Sequence, residues 1–600
     1  MSDAAQQTAE LLVRFGHSGF RPGQETAVDA ALAGSDVLAV MPTGAGKSLC
    51  YQLPALAAPG LTLVISPLVA LMEDQIRSLE QIAPGEVAAV HGNRDSDHND
   101  AALEAAASGR LKLLYLAPER LANPWAAKAL KAATLERVVV DEAHCVSSWG
   151  HDFRPDYFRI GEATRRLGAT SISAFTATAT PKVTEDIAKR LGLERPVVIR
   201  TGFDRPNISF TAVTCGNQAD EQSRLVELLK DPASRPAIVY AGTRKQTAEV
   251  AELLASALKI KVEAYHAGLD GDLRRAIQER YMNDETEIVV ATNAFGMGVD
   301  KPDVRSVVHV AVPGSLEAVY QEAGRAGRDG LPARHALLAE PRDRSLHVHF
   351  IKSATVDDPQ LKALESLLRR SADESGLSRI PMREAADACG GGYERATAAL
   401  GHLAFAGVLT PVPSASRDMT ARLAGELDSA ALRKAHSAAR NAEQLRWQRY
   451  EQVWSFVDGD SCRRLALLKH FGDQTEPTPL GRCCDVCDPE LVPAAAPAGT
   501  VKRARRKAQQ NVAEKADGLD AAIVATVRVA KPAVGRTRLV QILRGSQAAA
   551  LMASGQDKLD HYGQFAALSH DGVLAVVDRI VADGELVSTG GQFPKLKVTK

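Results

Sequence analysis

The chain has 600 residues, 45% of them hydrophobic, which at ~100–200 residues per domain predicts roughly three to five domains with full cores. Its 72 Lys+Arg against 73 Asp+Glu leave a net charge of −1, so a nucleic-acid surface would need clustered basic residues, not a general excess. The start, MSDAAQQTAE, has no signal layout, and no run of ~18 apolar residues exists, which excludes a membrane span and predicts a soluble protein in a reducing compartment.

Between about residues 25 and 200, short β-branched runs alternate with helical stretches. LTLVISP (61–67), KLLYLAP (112–118), RVVVDEAH (137–144) and SISAFTATAT (171–180) read as strands of a parallel sheet with crossover helices. Ligands of such sheets sit beyond the carboxyl ends of the strands. Residues 40–48, VMPTGAGKS, read as a phosphate loop, although Met41 stands where a strict G-x-x-x-x-G-K-[ST] pattern has glycine. Thr43, Gly44, Ala45 and Gly46 would cradle phosphate oxygens with backbone N–H groups. Lys47 would reach the β- and γ-phosphates, and Ser48 would offer its hydroxyl to Mg²⁺. VVVDEAH (138–144) supplies carboxylates at a strand end. Asp141 would hold hydrated Mg²⁺, and Glu142 would polarise an attacking water.

Residues 143–157, AHCVSSWGHDFRPDY, place Trp149, His151, Phe153, Arg154 and Tyr157 just after those carboxylates, in a chain with only 5% aromatics. Such rings can stack on exposed bases for ~1–3 kcal/mol each, the alternative being ordinary core aromatics. From about 208 to 350 the α/β alternation repeats: AIVYAGT (237–243), KVEAYHAG (261–268), EIVVATNAFGMGVD (287–300), SVVHVAVP (306–313) and HALLAE (335–340).

After 356 the chain turns helical and alanine-rich, and 379–414 reads as a small winged-helix-type module. Of eight cysteines, four are scattered (Cys50, Cys145, Cys215, Cys389) and four crowd together (Cys462, Cys483, Cys484, Cys487), a metal pattern more than a disulfide framework. Residues 491–516 read as a Pro/Ala-rich, then basic, linker. The last segment ends in ELVSTGGQFPKLKVT, two short strands around Gly590-Gly591.

Taken together these motifs resemble the RecQ family of DNA helicases, in helicase superfamily 2. FGHSGFRPGQE (15–25) resembles the family's N-terminal motif, which implies that Gln24 pairs with the adenine edge and Arg21 helps hold the base. MPTGAGKS, SPLVALMEDQ (66–75), YLAPERL (115–121), DEAH (141–144) and FTATA (175–179) resemble motifs I, Ia, Ib, II and III. IVYAGTRKQTAEVA (238–251), ATNAFGMGVDKPDVR (291–305) and QEAGRAGRDG (321–330) resemble motifs IV, V and VI. The resemblance implies an arginine finger worth ~10³ or more in rate, with Arg328 as the finger, Arg325 beside it and Gln321 near the nucleotide. The three-residue spacing predicts both arginines on one helical face of the second lobe. The family resemblance also implies that the aromatic-rich loop couples single-strand binding to ATP hydrolysis.

The cysteine cluster resembles the family's structural zinc site but departs from its C-x₂-C-x₂-C repeat, which would put a ligand where this chain has Gly481. Cys462, Cys483, Cys484 and Cys487 are the expected ligands; three of them with another ligand, or no metal, stay open. Arg536, Arg538, Arg544 and Lys558 are candidate phosphate contacts of a C-terminal winged helix. Phe593 is a candidate wedge at a duplex fork, with core packing as the alternative. No HRDC domain, carried by many relatives, is expected in this sequence.

The expected fold is α/β: two tandem RecA-like parallel-sheet lobes (1–205 and 206–350), a winged-helix-like insert (356–425), a zinc-binding subdomain (426–490), a linker (491–516) and an RQC-type winged helix (517–600). The resemblance implies an ATP- and Mg²⁺-dependent 3′–5′ DNA helicase with structural Zn²⁺, acting on single-stranded, duplex and branched DNA in recombination and repair. It further implies a monomer in the bacterial cytoplasm or nucleoid, with single-strand-binding protein as a partner. An RNA helicase or duplex translocase with the same motor is the alternative enzyme. An ATP-inert DNA-structure-binding protein is the non-enzyme alternative, against which intact Lys47, Glu142 and Arg328 argue.

Overall fold

The computed structural model describes all residues except 1, 2, 68, 93, 148–156, 158, 159, 297–299, 413–417, 497–516, 547, 548, 567, 569, 590–593 and 600. The chain divides into two compact units, 1–212 with 313–332 and 341–491, and 213–312 with 333–340 and 492–600. Residues 313–332, expected in the second lobe, thus group with the first unit.

The first unit opens with a seven-stranded sheet. Its strands are β1 (Val37–Val40), β2 (Leu61–Ile65), β3 (Val87–Val90), β4 (Leu113–Leu116), β5 (Leu135–Val140), β6 (Ser171–Thr176) and β7 (Val197–Arg200), in the order β3-β4-β2-β5-β6-β1-β7. All pairings are parallel. Helices cover both faces of such a sheet, so its central strands read as unbroken apolar runs; VLAV of β1 and LTLVI of β2 are buried throughout. Chain direction reverses cleanly at helix ends. Thr180 accepts from the Val183 N–H to start helix Pro181–Leu191, and Gly192 closes it at φ +66°.

The same unit holds a smaller module. Helix Asp358–Arg370 is followed by β14 (Leu377–Pro381), helices Met382–Ala388 and Tyr393–Phe405, then β15 (Leu409–Pro411) and β16 (Asp418–Leu423), which form an antiparallel sheet in the order β14-β16-β15. This α-β-α-α-β-β order is a winged-helix arrangement. Leu361, Leu364, Leu368, Leu403 and Val408 make its core, joined by Ala435 and Ala439 of the 30-residue helix Ser429–Asp458. Helix Arg463–His470 and the cysteine loop follow.

The second sheet comprises β8 (Ile208–Thr214), β9 (Ala237–Tyr240), β10 (Val262–Tyr265), β11 (Ile288–Ala291), β12 (Ser306–His309) and β13 (Ala333–Ala339), in the order β10-β11-β9-β12-β13-β8. Its core is aliphatic, with Leu225, Leu229, Val239, Leu254, Val290 and Leu338 buried. The second unit also contains helices Leu519–Val529, Arg536–Leu543 and His570–Ala582 around Ile523, Leu539, Val577 and Leu586, with β17 (Leu586–Ser588) pairing antiparallel to β18 (Leu596–Val598). No described helix is long and apolar enough to cross a membrane.

Candidate nucleotide site and cysteine cluster

The order β5-β6-β1 sets three strand ends side by side. β5 leads into Asp141, β6 ends on Thr176, and β1 runs into the loop Met41–Ser48. That loop curls back because Gly44 and Gly46 take φ of +83° and +76°, where a side chain would be strained. A Cβ on Gly46 would also stand 2.4 Å from Gln24 Nε2. Gln24 itself is buried and braces the loop: Nε2 donates to the carbonyls of Ala45 (3.0 Å) and Gly46 (3.1 Å), while Oε1 accepts from the Arg21 N–H (2.7 Å). The Arg21 guanidinium donates to the Gly44 carbonyl. The two residues expected at the base therefore also shape the phosphate loop. Ser48 starts helix Leu49–Ala57 without spending its hydroxyl on a cap.

Lys47 donates to the carbonyls of Met41 (3.2 Å) and Pro42 (3.4 Å). Burial lowers its pKa, the carboxylates of Glu142 and Asp141 oppose that shift, and the Arg328 charge adds to it. Lys47 is thus close enough to feel Asp141, Glu142 and Arg328. Asp141 is buried; it accepts from Ser66 Oγ (3.2 Å) and from the Glu142 N–H (3.0 Å). Burial, and next the Glu142 charge, push its pKa up to about 6. Glu142 adopts φ +48°, ψ +47°, a left-handed conformation that costs a non-glycine residue about 1–3 kcal/mol. Its carboxylate lies 3.3 Å from His144 Nδ1, which also meets Thr176 Oγ1 at 2.9 Å. The second carboxylate is thereby tied to the end of β6.

Arg325 and Arg328 do not share a helical face. Helix Leu316–Ala323, with Gln321 in its last turn, stops at Gly324, and both arginines follow in a turn where Gly327 has φ +56°. Glycines at 324 and 327 were the sequence signal against a helix there. Arg325 is buried, whereas Arg328 is half-buried and passes the phosphate loop, its Cγ 3.8 Å from where a Cβ on Gly44 would be.

Sequence reasoning missed Arg205. Its guanidinium donates to Gly324 O and Ala326 O (2.9 Å each), and at longer range to Gly327 O (3.4 Å) and Thr43 O (3.5 Å). Of the aromatic-rich segment, Trp149, His151, Phe153 and Arg154 lie outside the described residues. Tyr157 is buried, and its hydroxyl donates to the Asp141 carbonyl at 3.4 Å.

The four crowded cysteines come together. Cys462 precedes helix Arg463–His470, and its Sγ lies 3.6 Å from Cys483 Sγ and 3.8 Å from Cys484 Sγ; Cys484 and Cys487 are 3.5 Å apart. All four sulfurs lie within 4.8 Å of one another. Four thiolates at ~2.3 Å from a tetrahedral zinc ion would be ~3.8 Å apart, so the set fits that ion, adjacent Cys483 and Cys484 included. The loop is held by the strand start at Phe210: Phe210 N–H donates to Cys483 O (3.1 Å), and Asp485 N–H to Phe210 O (3.1 Å). Asp485 also pairs with buried Arg463 at 3.0 Å. Burial opposes ionisation of Cys484, but backbone N–H groups of Cys487 and Arg463 bring its pKa below the usual thiol value.

In the C-terminal module Arg538 donates to Gln556 Oε1 (2.8 Å) and Ser554 Oγ (2.9 Å), and Arg544 to Leu568 O (2.8 Å). Arg536 pairs with Asp578 (2.8 Å), and Lys558 is exposed. Phe593 lies outside the described residues.

Family models match in the same order as these parts: DEAD/DEAH box helicase at 21–187, helicase conserved C-terminal domain at 220–330, RecQ zinc-binding at 426–488 and RQC domain at 510–600. The probable ATP-dependent DNA helicase RecS of Bacillus subtilis (strain 168) is 34% identical over 81% of this chain and 92% of its own length. ATP-dependent DNA helicase RecQ of the same organism is 39% identical over 63% of this chain and 64% of its own, and RecQ of Pasteurella multocida (strain Pm70) 41% over 58% and 55%. A phosphate loop facing paired carboxylates, a four-cysteine cluster that fits zinc, and a relative matched over nearly its whole length agree: the chain belongs to the RecQ family of ATP-dependent DNA helicases.

Proposed function

We propose that this helicase translocates 3′ to 5′ on single-stranded DNA, driven by Mg²⁺-dependent ATP hydrolysis at the Lys47–Glu142 site, and so separates duplex and branched DNA in recombination and repair. The observation that carries this reading is the convergence of Lys47, Asp141, Glu142 and Arg328 on one locus at the sheet's carboxyl edge. Lys47 binds the β- and γ-phosphates. Glu142, held by His144, orients the attacking water and takes its proton. Arg328 neutralises charge that develops on the γ-phosphoryl oxygens, with Arg325 supporting its turn. Asp141 and Ser48 would hold Mg²⁺, which supplies electrostatic stabilisation of the phosphoryl group. Arg21 and Gln24 brace the loop, and to read the adenine Gln24 would exchange a loop carbonyl for the base edge.

Trp149, His151, Phe153 and Arg154 follow the catalytic carboxylates in sequence and would signal bound single strand to them. Cys462, Cys483, Cys484 and Cys487 hold structural zinc. Arg536 and Phe593 would meet duplex DNA at the C-terminal module, where Arg538 instead donates to Gln556 and Ser554. A monomer working in the bacterial cytoplasm or nucleoid, with single-strand-binding protein as a partner, fits this role. Strand displacement on 3′-tailed, 5′-tailed and RNA-containing duplexes tests the reading. Displacement of 3′-tailed DNA alone is expected; equal activity on 5′-tailed or RNA duplexes would overturn the stated polarity or substrate.

A further inference from the structure

Residues 204–208 lie against the nucleotide site on one side and the zinc helix on the other. On the first side, the Arg205 guanidinium reaches carbonyls of two separate segments: Gly324, Ala326 and Gly327 of the turn carrying Arg328, and Thr43 of the phosphate loop. Asn207 Nδ2 adds bonds to Gly327 O (2.7 Å) and Leu331 O (2.8 Å). On the second side, Arg464 is only 1% exposed and donates to Arg205's own carbonyl (2.7 Å), to Ile208 O and to the Asp204 carboxylate. Arg464 sits two residues after Cys462. Asp204 Oδ2 further accepts from the Thr478 N–H at 2.9 Å.

A cation spent on carbonyls is a costly arrangement. Burial pulls the Arg205 pKa down, Tyr320 opposes that, and the like charge of Arg328 adds to it. The acceptors are chemically apt, because Gly324, Ala326 and Gly327 follow the C-terminus of helix Leu316–Ala323, where carbonyls lack intrahelical donors and the helix dipole favours positive charge. A planar guanidinium offers five N–H donors in a fixed fork, which suits four carbonyls on two segments better than the three donors of an ammonium.

We propose that Arg205 is a positioning residue for phosphoryl transfer: it fixes the finger turn 324–328 against the phosphate loop, and Arg464 of the zinc module holds the Arg205 backbone in place. Arg328 then reaches the γ-phosphate from one defined position. The inference rests on the reading of Arg328 as the finger.

The test uses the full chain and compares Arg205→Lys, Arg205→Ala, Arg328→Ala and Arg205→Ala/Arg328→Ala in DNA-stimulated ATPase and in direct ATP binding. Arg205→Lys is expected to lower kcat at least ~10-fold while ATP affinity stays within ~3-fold, because the loss falls on the transition state. The double variant should be no slower than Arg328→Ala, and guanidinium ion should restore part of the Arg205→Ala activity. Wild-type kcat in Arg205→Lys, multiplying losses in the double variant, or parallel loss of affinity and turnover would overturn the proposal. Should Arg205→Ala fail to fold, Arg205→Lys and Arg205→Lys/Arg328→Ala decide it. Full activity in Arg328→Ala alone would instead sink the finger reading.

Discussion

The nucleotide site and the cysteine cluster lie in the same unit but are built on opposite principles. At the nucleotide site groups are held in states they would not choose. Glu142 is left-handed, Asp141 resists ionisation, and Lys47, Arg205 and Arg328 crowd like charges around one loop. At the cysteine cluster the frame around the thiols is satisfied, and only the four sulfurs, which disfavour one another's ionisation, lack a complement. Four sulfurs stand at tetrahedral spacing, Arg463 meets Asp485, and the loop is hydrogen-bonded to Phe210. A strained backbone and crowded cations mark a place where a ligand comes and goes; a set of sulfurs at tetrahedral spacing in a satisfied frame marks a place where a resident ion would hold the chain together. Substitutions in the first should take activity and spare stability, and substitutions in the second should do the reverse.

The largest effect that would sharpen this contrast is Lys47→Ala. DNA-stimulated phosphate release should fall by ~10³ or more, with the melting temperature unchanged or raised, since a half-buried cation is removed. A melting temperature that falls with the activity would break the contrast.

Next comes the zinc cluster. Cys487→Ala should lose bound zinc and several kcal/mol of stability, because the metal contributes directly to folding, while the folded fraction still binds ATP. Cys483→Ala should behave alike. Metal analysis that finds one zinc per chain in the Cys483 variant would remove Cys483 from the ligand set and leave a three-cysteine site.

The pH response separates the two principles within one residue. With its pKa raised from 3.8 to about 6, Asp141 is protonated below that value, so kcat/KM for ATP should fall as pH drops through about 6. Stability runs the other way at this locus. The native state holds the proton more tightly than the unfolded chain, so its contribution declines as pH climbs from 3.8 to about 6. A kcat/KM profile flat from pH 5 to 7 would show that Asp141 does not act as an ionised carboxylate. The smallest effect belongs to the C-terminal module. Arg538→Ala should destabilise that module by ~1–2 kcal/mol, since its donors already serve Gln556 and Ser554. Weakened DNA binding with unchanged stability would instead identify Arg538 as a phosphate contact.

Legibility in the sequence followed the range of the interaction. Lys47, Asp141 and Glu142 were readable because each chemistry is packed into a few adjacent residues behind an apolar strand. The paired sheets were readable because buried parallel strands are short β-branched runs, although Val87–Val90 and Val197–Arg200 were too short and plain to stand out. Arg205 was not readable, since its acceptors are backbone carbonyls some 120 positions away and backbone leaves no mark in composition. The turn at Arg325–Arg328 was misread as helix because spacing was weighed above its glycines. The four crowded cysteines were readable as a set, but not how the chain meets the departure at Gly481, which depends on the Phe210 pairing that holds the loop of Cys483 and Cys484.

Glu142→Gln tests the central claim most directly, because it keeps the shape of the site and removes only the carboxylate that would take the water's proton. On a 3′-tailed DNA duplex with ATP and Mg²⁺, the variant should bind both ATP and DNA as the wild type does, yet hydrolyse ATP at least ~10²-fold more slowly and displace no strand. Strand displacement at the wild-type rate by Glu142→Gln would contradict the account, since the motor would then run without the chemistry assigned to this site.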